Sequence, residues 1–346
     1  MVYSPSFLLG ESLYNFLKEV NVLFSFGKSK RTANILIEDY VIRMIENNGE
    51  DLISLNIRAE KPLPKNLIEN GKILDEPAFY EFMKETVQEW GIKGRNVRFF
   101  VPQSLIILRE VEIPEDVTKE NVKQYIEFEI GNTIHFPFKN PIIDVYSDIS
   151  KDRKVTVLAA PEDELLKYTT IFADVSLKPT VAEIQPLGIY RYFIHKQADI
   201  QDEKVYMIVE YNLSSVNVSI FHDHKVEFLR HQPLTASKDF WEYNEETGTF
   251  NFTGDEMRYQ GEVDDQLNEI DRLMNFYRFS IHQGEKQVNE LIVVGDTPYL
   301  EKITNLIRQR YPSIGTTMLQ PEEQLNGERI DQQFIPALGL ALRGGN

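Results

Sequence analysis

The chain has 346 residues, 42% of them apolar, with 21 Phe and 16 Tyr, which suffices for two domains with cores of their own and excludes a disordered chain. Its 54 acidic against 37 basic side chains leave a formal charge of -17, so a surface that tracks nucleic-acid phosphates is not expected. It has no cysteine, which rules out a disulfide framework, a cysteine zinc site and a thiol nucleophile, and no run nears the ~20 apolar residues of a membrane-spanning helix.

No basic start followed by an uninterrupted apolar core marks a signal peptide, so a cytoplasmic protein is expected. Leu9, Leu13, Phe16, Val20 and Leu23 recur at steps of four and three, which predicts an amphipathic helix, with Lys28, Lys30 and Arg31 behind it. Such a helix either docks on a membrane or partner, or packs back on the body of the protein. The second reading is favoured, since Glu11 and Glu19 on its polar face suit an anionic surface poorly.

Ile35, Ile37, Val41 and Met44, then Leu52, Ser54 and Asn56, alternate as strands around the turn Asn47-Asn48-Gly49, and a polar linker with Pro62 and Pro64 follows. Asp75-Glu76-Pro77 opens a helix with Phe79, Phe82, Met83 and Val87 on one face, ended by Gly91. Residues 96–108 read as two strands around Pro102. Thr118 caps a helix carrying Val122, Tyr125, Ile126 and Ile130, stopped by Gly131-Asn132. Strands at 141–147 and 154–160 lead to a helix with Glu162 and Asp163 in its first turn. A second strand-rich block starts near Lys204, with strands at 205–209, 216–221 and 226–229 and a turn around Asp223. Residues 236–261 read as exposed loops. A long helix then carries Val263, Leu267, Ile270, Met274, Tyr277 and Ile281, followed by a buried strand at 291–294 ending at Gly295 and a helix at 298–310. Two successive α+β blocks suit two related halves facing each other across a cleft.

Conventional chemistry is absent from the pattern. Of the histidines (His135, His195, His222, His224, His231 and His282), only His222-Asp223-His224 form a local cluster, and a hairpin turn accounts for it more simply than a metal. His135 follows a helix stop, where a loop or packing role fits. Glu127 with Glu129 and Asp264 with Asp265 fit solvated faces. Ser214-Ser215 lacks a glycine-flanked nucleophile elbow, and no glycine-rich phosphate loop of the P-loop or dinucleotide type occurs.

Four stretches in a fixed order resemble the PilM family, the cytoplasmic actin-like proteins of type IV pilus assembly, themselves similar to the cell-division protein FtsA. They are residues 63–75; Val101-Pro102-Gln103-Ser104 with Ile107-Leu108-Arg109, Ile113-Pro114, residues 125–129 and His135-Phe136-Pro137-Phe138; Val157-Leu158-Ala159-Ala160-Pro161 followed by Leu177-Lys178-Pro179; and residues 336–344. The resemblance implies an α/β, actin-like fold (a duplicated ribonuclease H-like fold), two domains around a cleft with an inserted FtsA-like subdomain. It divides the chain into an N-terminal helix and linker (1–30), a first actin-like domain (31–89 and 180–203), the insert (90–179), a second domain (204–335) and a C-terminal segment returning to the first (336–346).

Relatives that bind nucleotide carry an Asp and a Gly in a first hairpin, another pair in a second, and two glycines in a later adenosine turn. Carboxylates position the metal, and glycines let phosphate and nucleoside approach the backbone. The first Asp falls on Leu36 and its Gly on Glu38; in the second hairpin Glu210 keeps a carboxylate while Asn212 replaces the Gly; the paired glycines become Gly295-Asp296. A Glu38 carboxylate facing phosphates would repel them. Three altered parts imply little or no ATP binding, no cofactor and no catalysis.

The resemblance further implies a scaffold whose insert borders a groove for the cytoplasmic tail of a PilN-like membrane protein. Phe99, Val101, Val122 and Ile126 are its candidate walls, an extended tail adding to a strand edge. The pilus assembly ATPase or platform protein stand as further partners, and a homo-oligomer stays open; nucleic acid does not fit. Membrane association would be peripheral, at the inner face, through partners. The rival reading is an actin-superfamily ATPase that switches or polymerises with nucleotide. A third is the cytoplasmic domain of a secretion platform similar to GspL, which expects a following membrane helix.

Overall fold

The computed structural model describes residues 31–343 except 50, 147–148, 151–152, 198–202 and 235–238. The expected amphipathic helix at 9–23, with Lys28 and Lys30, lies outside the described residues. The chain divides into two compact units, one ending at Gly188 and resuming at Ala337, the other running from Ile189 to Pro336.

In the first unit, β1 (Arg31–Glu38) and β2 (Val41–Asn48) form a hairpin turning at Asp39-Tyr40, and β3 (Leu55–Pro62) pairs with β2. β4 (Ile68–Glu69) and β5 (Lys72–Ile73) make a small hairpin whose Asn70 and Gly71 take φ of 48° and 71°, the primed turn that Asn-Gly favours. After α1 (Glu76–Glu89), β6 (Asn96–Val101) lies parallel to β1. β7 (Ile107–Glu112), α2 (Val122–Glu129), β8 (Pro141–Val145) and β9 (Lys154–Pro161) follow, then α3 (Glu162–Asp174), β10 (Lys178–Ile184) parallel to β6, and α4 (Gln185–Lys196), which starts here and continues into the second unit. The main sheet has the order β10-β6-β1-β2-β3; β7, β9 and β8 form a separate antiparallel sheet in that order.

β1 and β2 are buried on both faces, with Ile35, Leu36 and Ile37 in β1 and Val41, Ile42, Met44 and Ile45 in β2 supplying consecutive or nearly consecutive apolar side chains. The polar exceptions are paired: the Asn34 amide donates to the Asn47 side-chain oxygen at 2.8 Å and to the Ile45 carbonyl at 3.0 Å. α1 starts where the Asp75 carboxylate accepts the Ala78 N–H at 2.9 Å and stops before Gly91, whose φ of 65° no β-branched residue tolerates well. Its Phe79, Met83 and Val87 meet Phe99 and Phe172 in the main core, each buried side chain contributing about 1.5–3 kcal/mol.

Three expectations need correction here. The third strand begins at Leu55 rather than Leu52, because the Asp51 carboxylate accepts the N–H groups of Ile53 and Ser54 and turns the chain first. Pro62 closes that strand instead of opening a linker, tolerated because β3 is an edge. Likewise α2 begins at Val122, with Asn121 and not Thr118 at its cap position.

In the second unit, β11 (Tyr206–Tyr211), β12 (Ser215–His222) and β13 (Lys225–Pro233) form an antiparallel meander. A small hairpin β14 (Trp241–Asn244) and β15 (Thr249–Phe252) precedes α5 (Glu256–Asn275), which runs on through a π-helical segment at Phe276–Ile281. β16 (Glu290–Val294) lies parallel to β11 and α6 (Leu300–Arg310) leads to β17 (Gly315–Met318); the chain passes back into the first unit within α7 (Ile335–Ala341). The sheet order is β13-β12-β11-β16-β17. Both units thus place three antiparallel strands beside two parallel ones in the same sequence, and this repeated half is the duplicated ribonuclease H-like unit of an actin-like fold. Residues 236–261, expected as loops, hold a hairpin: Trp241 meets Phe252 and Tyr243 meets Phe250 at ring distances of 5.2 and 5.1 Å, cross-strand pairs that hold the strands despite their polar sequence.

Candidate functional site

The sheet decides what each residue of the first hairpin can face. Leu36 on β1 is 2% exposed and packs with Phe100 of β6 and Leu340 of α7. Three further contacts seat that segment: the Asn47 amide donates to the Ala341 carbonyl at 3.1 Å, Arg98 to the Leu340 carbonyl at 3.3 Å, and Arg343 pairs with buried Glu183 at 3.3 Å. A Cβ on Gly339 would stand 1.8 Å from the Gly188 carbonyl oxygen, so the helix sits where only glycine fits. Glu38 receives the Gln185 amide at 3.4 Å. The neighbouring Asp39 carboxylate accepts the N–H groups of Asn70 and Gly71 at 2.6 and 2.9 Å, so the turn of the β4–β5 hairpin is filled by a side chain from the turn of the β1–β2 hairpin.

In the second hairpin, Glu210 is 3% exposed and accepts the Asn217 amide at 3.0 Å, while the Asn217 carbonyl oxygen lies 2.7 Å from Nδ1 of His231. Asn212 donates its N–H to the Ser215 carbonyl at 2.9 Å. Gly295 has φ of 144°, and a Cβ there would lie 2.0 Å from the Tyr211 carbonyl oxygen; Asp296 beside it accepts the Leu213 N–H at 3.0 Å. Thr297 meets the Tyr259 hydroxyl at 3.2 Å. Tyr259, Tyr299, Trp241 and Phe252 form a four-ring cluster with every pair of centroids 5.2–6.0 Å apart.

All four proposed groove residues are core. Phe99 and Val101 belong to the main core, Phe99 standing edge-on to Phe172 at 5.2 Å, and Val122 and Ile126 belong to the core under the small sheet. Each is 0–1% exposed, so none offers a wall to a partner. Val101 does back a recess of about 10 Å³ together with Ile106, Leu158, Ala182 and Ile184, room for no more than a water. Asp144 from β8 and Glu183 from β10, edge strands of their respective sheets, also line it. Burial pushes the Asp144 carboxyl up to about 7, against the pull of the Val145 N–H, Lys123 and Arg343.

The family model for the type IV pilus assembly protein PilM matches residues 35–247. The chain belongs to the PilM family. Among solved structures it is similar to the PilM-PilN type IV pilus biogenesis complex, with a TM-score of 0.72 at 18% identity over 92% of this chain and 99% of that chain. It is also similar to the ethanolamine utilization protein EutJ from Carboxydothermus hydrogenoformans (TM-score 0.49, 13% identity, 96% and 98% covered). A protein with an actin-like ATPase fold from Bacteroides thetaiotaomicron follows (TM-score 0.47, 10% identity, 91% and 96% covered). At these identities the likeness concerns the fold. No curated protein matches the sequence.

Within this PilM-family chain the histidines sort by geometry. Asp223 and His224 take φ of 50° and 58° and form the primed turn between β12 and β13. Among the described residues no group of three or more His, Asp or Glu side chains is placed to hold a metal ion. His282 and Lys286 instead surround Glu227, at 3.0 and 3.2 Å, with the Tyr277 hydroxyl donating to the same carboxylate at 2.6 Å. Asp39, Asp144 and the Asp296 contact were not singled out by sequence. Their partners lie 31 or more residues away or, for Asp144, in a recess built from four strands, and no local spacing encodes that.

Proposed function

We propose that this PilM-family chain is a non-catalytic scaffold of a type IV pilus assembly machine, or of a related competence or secretion machine. Its task would be to hold the cytoplasmic tail of a PilN-like membrane protein. The observation that carries the reading is the seam between the β8 and β10 edges, where Asp144 and Glu183 line an apolar recess. An extended tail can add main-chain hydrogen bonds to either edge, its apolar side chains entering as the seam parts and a donor meeting Asp144. The likeness to the PilM-PilN complex supports the choice of partner. Among the described residues no helix is long and apolar enough to cross a membrane, so in this reading the chain reaches the inner face through its partner. The absence of catalysis is supported by the apolar burial of Leu36 and by the internal partners of Glu210 and Asp296.

The test is calorimetric titration with a peptide of the PilN-like tail, coupled to hydrogen exchange. Saturable binding that protects residues 141–145 and 178–184 is expected; no binding, or protection elsewhere, refutes the partner or the seam. In parallel, millimolar MgATP should leave the melting temperature unchanged. Saturation at a hundred times the dissociation constant would add about 2.7 kcal/mol, and such an upward shift would restore the ATPase reading.

A further inference from the structure

We propose that the outer edge of β13, with the aromatic ridge beside it, is a docking surface for an extended, acidic segment of a partner protein. β13 is the last strand of its sheet, and among the described residues no strand pairs with its outer side. Its register carries a bulge: Phe221 faces Val226 and Ile220 faces Phe228, so Glu227 is the extra residue. The bulge aims Glu227 at the end of α5, where the Tyr277 hydroxyl donates to it at 2.6 Å, Lys286 at 3.2 Å, and His282 lies 3.0 Å away.

That hub fixes a π-helical turn against the edge strand. The His282 N–H reaches back five residues to the Tyr277 carbonyl at 3.2 Å, a spacing rare in helices and frequent at functional sites. With Tyr277 fully buried, Phe276 and Phe279 turn outward, 47% and 57% exposed. Phe276 sits 6.1 Å from the ring of Phe228 on β13, and the Arg278 guanidinium lies over Phe279 at 5.0 Å. The other exposed large apolar side chains among the described residues, Ile53, Leu74, Phe128 and Met257, stand singly along the chain. A bulge and a charge on an edge strand are ordinary protection against unwanted pairing, but that protection does not call for exposed rings beside the edge.

Charge decides the occupant. The chain as a whole has 54 acidic against 37 basic residues, whereas residues 225–233 and 276–286 hold Lys225, Arg230, Arg278 and Lys286 against Glu227 and Glu285. Of those two acids Glu227 is already paired with Lys286, and Arg230 and Arg278 are exposed. A strand added to β13 would bond main chain to main chain, set apolar side chains on Phe228, Phe276 and Phe279, and bring its carboxylates to the two arginines. This surface lies wholly in the second unit and shares no residue with the β8–β10 seam.

The experiment is selection of a displayed library of random peptides as long as β13, nine residues, against the full chain, followed by calorimetric titration of the winners. Enriched peptides should be acidic, alternate apolar with polar residues, and slow hydrogen exchange across 225–233. Phe279→Ser and Arg230→Glu, both at exposed positions, should each weaken binding about tenfold or more with the melting temperature unchanged. Should Arg230→Glu melt lower, Arg278→Glu repeats the charge test. Basic winners, no winners, protection elsewhere, or affinity indifferent to these substitutions overturns the proposal. A second copy of the chain as occupant would overturn it too: wild type would then sediment as a dimer, and Phe279→Ser as a monomer.

Discussion

Replacing Asp144 by Asn should stabilise the first unit at high pH and do nothing at low pH. The carboxyl titrates at about 7 when folded, against an ordinary value of 3.8. An acid whose folded pKa is raised binds more protons in the native state than in the unfolded one between those limits. Stability therefore falls as pH rises from about 4 to 7, and the loss is complete above the folded value. Moving the carboxyl from 3.8 to about 7 corresponds to about 4 kcal/mol, and relaxation around a partly exposed carboxyl brings the expectation to about 2–4 kcal/mol. Asn mimics the protonated acid and can still accept the Val145 N–H, so it removes the penalty without emptying the site. The assay is urea unfolding of both proteins from pH 4.5 to 8.5, followed by Trp90 fluorescence in a Trp241→Phe background, since the two tryptophans lie one in each unit. The difference between the curves should be about a quarter of its full size at pH 4.5, already above the ordinary value of 3.8, and should reach full size by pH 8. Parallel curves across the range would refute the reasoning.

The second unit should respond to pH with the opposite sign. His282, lowered by burial, and Glu227, lowered on balance by Tyr277, Lys286 and His282 against its own burial, both bind fewer protons folded than unfolded. Stability read at Trp241 should therefore drop as pH falls below the ordinary histidine value of 6.5 and again near the carboxylate range; His282→Gln should flatten the upper limb, and an unchanged slope would argue against it. Gly295→Ala should cost the second unit at least about 3 kcal/mol, combining strain at positive φ with a clash on a carbonyl that cannot move. Denaturant midpoints within about 1 kcal/mol of wild type would show that the turn relaxes.

Legibility in the sequence followed the reach of the interaction. The first helix was readable because its cap, its Pro77 and its apolar face lie within fifteen residues, and the β12–β13 turn because Asp223 and His224 sit between two apolar runs. α4 was not anticipated: no element was assigned to its residues, and its stability comes from Tyr190 stacked on Phe221 at 4.2 Å and from Phe193 against Tyr206 at 5.3 Å. The β14–β15 hairpin was hidden by its polar residues, since alternate aromatics among Glu, Asn and Thr give a weak period of two. For the site, Leu36 could be placed from its motif, but its burial against Leu340 joins residues 304 positions apart and is visible only in the fold. Asp144 on an alternating strand looks like a solvated charge; that it points inward at a sheet edge depends on which face β8 turns to β9 and β10.

The seat of α7 has a consequence for how the molecule is made. Leu36 and Phe100 emerge from the ribosome early, yet the residue that covers them, Leu340, is added only after the whole second unit has been synthesised. Until then the first sheet carries an uncovered apolar strip and an Asn47 amide short of the Ala341 carbonyl. The nascent first half is thus a client for holding factors, while the second unit, contiguous from 189 to 336, has all its strands in hand before release. A chain cut just before Ala337 would retain every described strand and still leave Leu36 and Phe100 uncovered, so it should aggregate more readily than the full chain.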